Sequence, residues 1–258
     1  MSVKKVAIVT GASSGIGRGA ARILAKNGYR VSLTGRNEKA LKELAENVKR
    51  EFGLTDSEIH ITAVDLNAPE APELIVGSTI EKFGQIDTLI NSAGILRNGA
   101  IIDTGIEVFD ELVDVNVRGL IRITRASLPH IIKTKGTVVN VSSITGPCPF
   151  AGVAYYCMTK SMVDQFTKCL ALEMAPNGVR VNAVNPGVII TNVHRASGLD
   201  EKAYAEFLEK CKSTHALGRP GDVEEVAEAI LFLATERSSF TTGELLRVDG
   251  GRGIMHPR

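Results

Sequence analysis

Val6-Ala-Ile-Val-Thr-Gly-Ala-Ser-Ser-Gly-Ile-Gly17 is the stretch on which the fold turns. Val6 to Val9 is a short, mostly β-branched apolar run of the kind that favours a buried strand. Three glycines then follow at 11, 15 and 17, and a helical pattern runs from about Gly15 to Asn27. Gly11 can make the sharp turn, Gly15 can let backbone approach a pyrophosphate, and Gly17 can let helix pack closely on strand. A helix that begins there presents free N–H groups and a partial positive charge, both suited to phosphate. The spacing is G-x-x-x-G-x-G rather than the commoner G-x-G-x-x-G. Taken alone it is also compatible with a plain tight strand-to-helix connection.

Outward from this turn, short β-branched runs alternate with longer amphipathic ones. Arg30 to Leu33 reads as a second strand, and Glu38 to Phe52 as a helix with Leu41, Leu44 and Val48 on one face. Ile59 to Val64, Ile86 to Ile90, Val138 to Val141, Arg180 to Val184 and Leu245 to Val248 read as five further strands. Helical patterns end near Phe83, cover Ile106 to Thr134 as one helix or two, and cover Ala154 to Ala175. Such alternation predicts a parallel sheet with helices on both faces, doubly wound, with ligands beyond the carboxyl ends of the strands. No repeat or Pro/Ser-rich linker divides the 258 residues, so one domain is expected. Ile189 to Gly221 breaks the pattern: it is charged, holds a helical piece from Glu201 to Lys212, and reads as a substrate lid.

Composition excludes several classes. A net charge of +1, with basic residues scattered, gives no footprint for nucleic acid or an anionic membrane. No window approaches the ~20 apolar residues of a membrane span, and Met1-Ser-Val-Lys-Lys-Val lacks the long apolar run of a signal peptide. Cys148, Cys157, Cys169 and Cys211 form no C-x-x-C pair, so free thiols and a cytoplasmic address are expected. The five histidines, at 60, 130, 194, 215 and 256, show no metal-ligand spacing, and no metal is expected.

One pair of residues carries chemistry. Tyr156-Cys-Met-Thr-Lys160 places a phenol and an ammonium one turn apart on the same helix face. A tyrosine near its ordinary pKa of ~10 is a poor proton shuttle at neutral pH; a neighbouring cation favours the phenolate and lowers that value.

In this order and at these spacings, the motifs resemble those of the classical short-chain dehydrogenase/reductase family over essentially the whole chain. The resemblance implies a Rossmann-like, doubly wound, seven-stranded parallel sheet and a nicotinamide cofactor. Thr10 to Gly17 matches the family's glycine motif, which assigns Gly11, Ser13, Ser14, Gly15, Ile16 and Gly17 to cofactor binding. Asn91-Ser-Ala-Gly94 matches its Asn-Asn-Ala-Gly motif with one departure, Ser92, and adds Asn91, Ala93 and Gly94. The acidic position that selects NAD is occupied by Gly35, and Arg36 follows; a guanidinium there suits a 2′-phosphate, with Ser14 and Asn37 as helpers. NADP(H) is therefore expected over NAD(H). Asp65 and Leu66 resemble the adenine contact, and Pro186, Gly187, Ile189 and Thr191 the segment beside the nicotinamide.

The same resemblance makes Ser143, thirteen residues before Tyr156, the hydroxyl that holds the substrate oxygen, with Ser142 as the competing choice. Asn116 would hold a water that links Lys160 to solvent, completing a relay of Asn116, Ser143, Tyr156 and Lys160; a side chain bonded only to backbone is its plainer reading. Tyr156 and Lys160 would also touch the cofactor. The implied reaction interconverts a carbonyl and a secondary alcohol, as a reductase in the cell, in a homotetramer or homodimer. A non-catalytic NADP(H)-binding sensor or scaffold on the same fold is the alternative. The substrate stays open, although Cys148 and Phe150 are expected to face the pocket, and Tyr204, Phe207 and Leu208 give the lid an apolar side.

Overall fold

A computed structural model describes residues 4–198 and 200–255, with the side chains of His194 and Arg195 outside that description. His194 and His256, named above, thus fall outside the described side chains. Among the described residues seven strands form one parallel sheet in the order β3-β2-β1-β4-β5-β6-β7. They are β1 Val6–Thr10, β2 Arg30–Gly35, β3 Ile59–Ala63, β4 Thr88–Asn91, β5 Thr137–Val141, β6 Arg180–Pro186 and β7 Leu245–Val248. The order reverses between β1 and β4, so a crevice opens there at the carboxyl ends of the strands.

Helices cover both faces because the central strands are buried on both sides, as their unbroken apolar runs require. One face carries α1 (Gly15–Lys26), α2 (Glu38–Phe52) and α9 (Val223–Ala234), whose Leu24, Leu41, Leu44 and Ile230 are fully buried with Val31 and Leu33. The other carries α3 (Ala71–Phe83), α5 (Leu120–Thr134) and α6 (Ala154–Met174), packed through Ile75, Ile123, Ile131 and Leu170 on Ile8, Leu89 and Val138. The long pattern from Ile106 resolves into α4 (Ile106–Val113), one wide π-helical segment (Asp114–Gly119) and α5, without a break in the chain's helical course.

Strand and helix limits differ from the sequence reading by a residue or two, as is usual where ends fray. A larger difference is α9, an element beyond those expected from the strand and helix periods. Its start is marked by a reciprocal cap: the Asp222 N–H donates to Glu225 Oε2 at 2.8 Å, and the Asp222 side chain accepts from the third helical N–H. That Asp-x-x-Glu signature precedes a dense apolar run, and it was legible. Within 189–221 the chain forms α7 (Val193–Ala196) and α8 (Glu201–Thr214), the latter capped by Asp200. Tyr204 of α8 is buried, and its hydroxyl donates to the Thr191 carbonyl at 3.2 Å, which ties this segment to the loop after β6. All four cysteines are free thiols. No described helix is long and apolar enough to cross a membrane.

Because Ile230 is fully buried on the face shared by α1 and α9, Ile230→Ala leaves a cavity there. A loss of about 2–5 kcal/mol is expected by urea unfolding; a loss below about 0.5 kcal/mol would mean that α9 is not part of the core.

Candidate active site

The crevice is walled first by backbone. The Thr10 hydroxyl accepts from the N–H groups of Ser92 and Ala93 at 3.1 and 3.2 Å, pinning the loop after β4 to the end of β1. Gly11 sits at φ +68°, and a Cβ there would lie 2.9 Å from the Ala93 Cα; a Cβ on Gly17 would run into the Gly11 carbonyl. Glycine at both positions is thus required by space, and at Gly11 by conformation too. Ser14 precedes α1 without capping it through its side chain, and the first turn holds no acidic residue. The opening N–H groups of α1 are left for an anion.

From this cradle a cavity of about 780 Å³ runs along the sheet edge, a size suited to a bound small molecule. One end is lined by Gly35, Arg36, Asp65 and Leu66, the other by Ser143, Phe150, Tyr156 and Lys160, with Pro186, Gly187, Ile189 and Thr191 along one side. Ser13, Ser14, Gly15, Ile16, Gly17, Ala93 and Gly94 also reach its wall. At the first end a Cβ on Gly35 would come within 3.1 Å of the Ser13 hydroxyl, so a carboxylate side chain there would displace Ser13. Arg36 has only a loose ion pair with Asp65, at 3.9 Å with both side chains mostly exposed, a contact of little energetic weight.

At the second end α6 delivers Tyr156 and Lys160 from successive turns. The Lys160 ammonium is 5.6 Å from the Tyr156 ring centroid and donates to the Val141 carbonyl at the end of β5, at 2.9 Å. Burial lowers the Lys160 pKa to about 8, with Asp164 opposing that fall. Burial also raises the Tyr156 phenol to about 12, against a downward pull from hydrogen bonding to Ser143. This differs from the expectation that Lys160 brings the phenol down: desolvation outweighs the hydrogen bond to Ser143. Ser143 lines the cavity and its hydroxyl accepts from the Thr145 N–H at 3.1 Å. Ser142, the competing serine, also reaches the cavity wall, but its hydroxyl donates to the Lys160 carbonyl at 3.3 Å.

The comparisons agree with this geometry. The family model described as enoyl-(acyl carrier protein) reductase matches residues 11–252. The meso-2,3-butanediol dehydrogenase of Serratia marcescens is 34% identical over 247 residues, covering 96% of this chain and 94% of that protein. A short-chain dehydrogenase/reductase of unknown function from Caenorhabditis elegans, solved with cofactor, superposes with a TM-score of 0.92 at 32% identity, covering 98% and 96% of the two chains. The chain belongs to the classical short-chain dehydrogenase/reductase family. It is an oxidoreductase of CH–OH and C=O groups. The actinorhodin polyketide ketoreductase, solved with NADPH, is similar too, with a TM-score of 0.89 and 32% identity over 98% of each chain. A nicotinamide dinucleotide fits the residues present: the uncapped α1 terminus, the glycine positions that tolerate no Cβ, and a cavity long enough to join Arg36 to Tyr156.

Three residues assigned from the family motifs lie off the cavity wall. Asn37 is the N-cap of α2, accepting from the Ala40 N–H at 3.0 Å. Asn91 is buried, its amide donating to Thr124 Oγ1 and Asn140 Oδ1, each at 2.9 Å. Asn116, in the π-helical segment, accepts from the Ile95 N–H at 2.8 Å and donates to the Ile95 carbonyl at 2.9 Å, and it also donates to Thr159 Oγ1 at 3.3 Å. In this short-chain dehydrogenase/reductase Asn116 therefore clamps the loop that follows Gly94. Cys148 also departs from expectation: its thiol points to the Gly253 carbonyl, 3.7 Å away, whereas Phe150 and Phe207 do line the cavity.

The sequence reading missed a polar group beneath Lys160. Asp164, one turn further along α6, is buried, accepts from Asn185 Nδ2 at 3.1 Å, and is held above the usual carboxylate range by burial. Its four-residue spacing from Lys160 was the available signal. His215 is a second such residue, unmarked by any metal-ligand spacing. It is buried and accepts the Val188 N–H at 3.3 Å, bracing the loop beside Pro186 and Gly187. Among the described residues no group of His, Cys, Asp or Glu could hold a metal ion.

The depressed Lys160 pKa fixes a sign. An unfolded lysine titrates near 10.5 and the folded one at about 8, so between these values the unfolded chain holds the extra proton and stability rises with pH. Relative to Lys160→Met, the wild-type protein should gain about 2 kcal/mol in chemical unfolding from pH 8 to pH 10. Parallel pH profiles for the two proteins would contradict this placement of the ammonium.

Proposed function

We propose that this short-chain dehydrogenase/reductase is an NADP(H)-preferring carbonyl reductase, with Asn116, Ser143, Tyr156 and Lys160 as its working set. The observation that carries the reading is one continuous cavity, with Arg36 and a glycine rather than a carboxylate at position 35 at its adenosine end and the Tyr156 phenol at its reacting end. The NADPH-bound polyketide ketoreductase, similar along its whole length, supports the same cofactor.

When bound, the nicotinamide dinucleotide supplies the hydride. Arg36 would pair with the 2′-phosphate as a planar, permanently charged fork, the opening N–H groups of α1 would hold the pyrophosphate, and Gly94, Pro186, Gly187, Ile189 and Thr191 would bound the nicotinamide end. Ser143 donates to the substrate oxygen and fixes the carbonyl. Tyr156 keeps its proton throughout the neutral range, since burial holds its pKa at about 12, and gives it to that oxygen as the carbonyl carbon accepts hydride. Lys160 stays largely ammonium at neutral pH, with its pKa at about 8, and steadies the developing phenolate. Asn116 acts by clamping Ile95, which keeps Gly94 against Lys160: a Cβ on Gly94 would meet Asn116 Oδ1 at 3.2 Å and Lys160 Nζ at 3.7 Å. Segment 189–221 closes over the substrate. A cytoplasmic homodimer or homotetramer belongs to the same reading, with exposed Met158, Met162 and Leu172 on α6 as apolar surface for a partner copy.

The test follows loss of nicotinamide absorbance against a panel of ketones and aldehydes, with NADPH and NADH in parallel. Turnover should prefer NADPH, and Tyr156→Phe should cut kcat about a hundredfold to ten-thousandfold while sparing NADPH affinity; a fully active variant overturns the assignment of Tyr156. Arg36→Leu should weaken NADPH about tenfold to a hundredfold and leave NADH within about threefold, the worth of a charged hydrogen bond. An equal effect on both cofactors overturns the 2′-phosphate role. Tight binding without turnover of any carbonyl would support a sensor.

A further inference from the structure

Two arginines line the substrate half of the cavity, and their circumstances differ. Arg97 is spent: its guanidinium grips Glu111 through Nε at 3.0 Å and Nη2 at 2.7 Å. Arg252 has no such partner. Its single hydrogen bond runs from Nη1 to Thr214 Oγ1 at 3.5 Å, a marginal length, and no carboxylate stands within 4 Å of it among the described residues. The guanidinium lies over the Phe150 ring, 4.8 Å from its centroid, and Phe150 lines the cavity with Ser143, Val153 and Tyr156.

This placement is rigid. Arg252 opens a short turn after β7, and Asp249 secures that turn by accepting from the N–H groups of Gly251 and Gly253 at 3.0 and 2.8 Å. Asp249 thereby commits its oxygens to backbone. Gly253 packs under Ile144 and Cys148, so the turn rests on the loop that leads away from Ser143. Phe150 orients the guanidinium face without using its edge, where the donors lie. Burial disfavours the charge of Arg252, and Cys211 and Asp249 offset this only in part. A half-buried cation held in a cavity wall with open donors costs stability, and an anionic ligand would offset that cost.

We propose that Arg252 is a specificity-determining residue that recognises the carboxylate of an oxo-acid substrate. The substrate is a ketone or aldehyde with its carbonyl at Ser143 and Tyr156, an apolar spacer against Phe150 and Val153, and a terminal carboxylate gripped by the guanidinium fork. The reaction is the one already described: the carbonyl carbon gains a hydride from the reduced dinucleotide, the oxygen gains the Tyr156 proton, and a hydroxy acid and the oxidised dinucleotide leave. The proposal rests on the reductase reading and names its substrate class.

The test compares 4-oxopentanoate, 5-oxohexanoate and 6-oxoheptanoate with their methyl esters, which differ in charge and little else. At the matching length the wild-type enzyme should favour the acid over its ester by about tenfold or more in kcat/KM. Arg252→Met should erase that preference by lowering the acid alone, with ester turnover and NADPH affinity held within about threefold; Arg252→Lys should restore part of it as a point charge. Equal use of acid and ester by the wild-type enzyme overturns the proposal, as does a variant that loses both equally. If no carbonyl compound is reduced, the reductase reading fails by itself, and calorimetric titration of the three acids into the NADP⁺ complex decides the site. Binding that Arg252→Met abolishes keeps the assignment, and absence of binding in the wild-type protein overturns it.

Discussion

Everything in this molecule hangs on how closely the end of β1 approaches the end of β4. The Thr10 hydroxyl draws in the Ser92 and Ala93 N–H groups, and Gly11 then lies against Ala93 with no room for a Cβ. Gly17 lies as tightly on Gly11, so α1 starts at the sheet edge with its N–H groups facing the crevice. A larger residue at either position would push α1 or the loop after β4 outward and separate the proposed phosphate cradle from the wall that holds Tyr156 and Lys160. The topology puts the site at this switch point; the two backbone contacts make it narrow enough to work.

A second constraint lies beneath the first. The sheet interior under the site is polar: Asn91 bonds Asn140 and Thr124, Asn140 donates to Thr167 Oγ1 at 2.9 Å, and Asn185 bonds both Asp164 and the Ser143 carbonyl. Buried amides of this kind are costly unless paired. Their amide donors tie β4, β5 and β6 to α5 and α6, while Asn91 Oδ1 and Asn185 Oδ1 have no hydrogen-bond partner among the described residues. Lys160 sits on this layer as a buried ammonium with one backbone acceptor. The fold carries the desolvation of that charge, which on the proposed reading serves the chemistry rather than stability.

The sheet and most of its helices were legible because strand and helix periods repeat cleanly from Val6 to Val248. That Tyr156 and Lys160 share one wall was legible from a single helix turn, and that Ser143 joins them was implied by the family resemblance. What sequence missed depends on directions and distant partners. Asn91 and Ser92 are neighbours, yet Ser92 lines the cavity and Asn91 points into the core; successive strand residues face opposite ways, and a motif does not say which. The clamp that Asn116 makes joins positions 95 and 116 through a π-helical segment that no apolar period announces. Arg252 meets Phe150 across the whole second half of the chain. By contrast α9 is announced in the sequence by the capping pair Asp222 and Glu225 ahead of its apolar run.

A crystal structure of the protein grown with NADPH tests the central claim most directly. The account predicts one dinucleotide along the cavity, its 2′-phosphate on Arg36, its pyrophosphate at the first turn of α1, and its nicotinamide beside Tyr156 and Lys160. A dinucleotide bound elsewhere, or one whose 2′-phosphate turns away from Arg36, would contradict it.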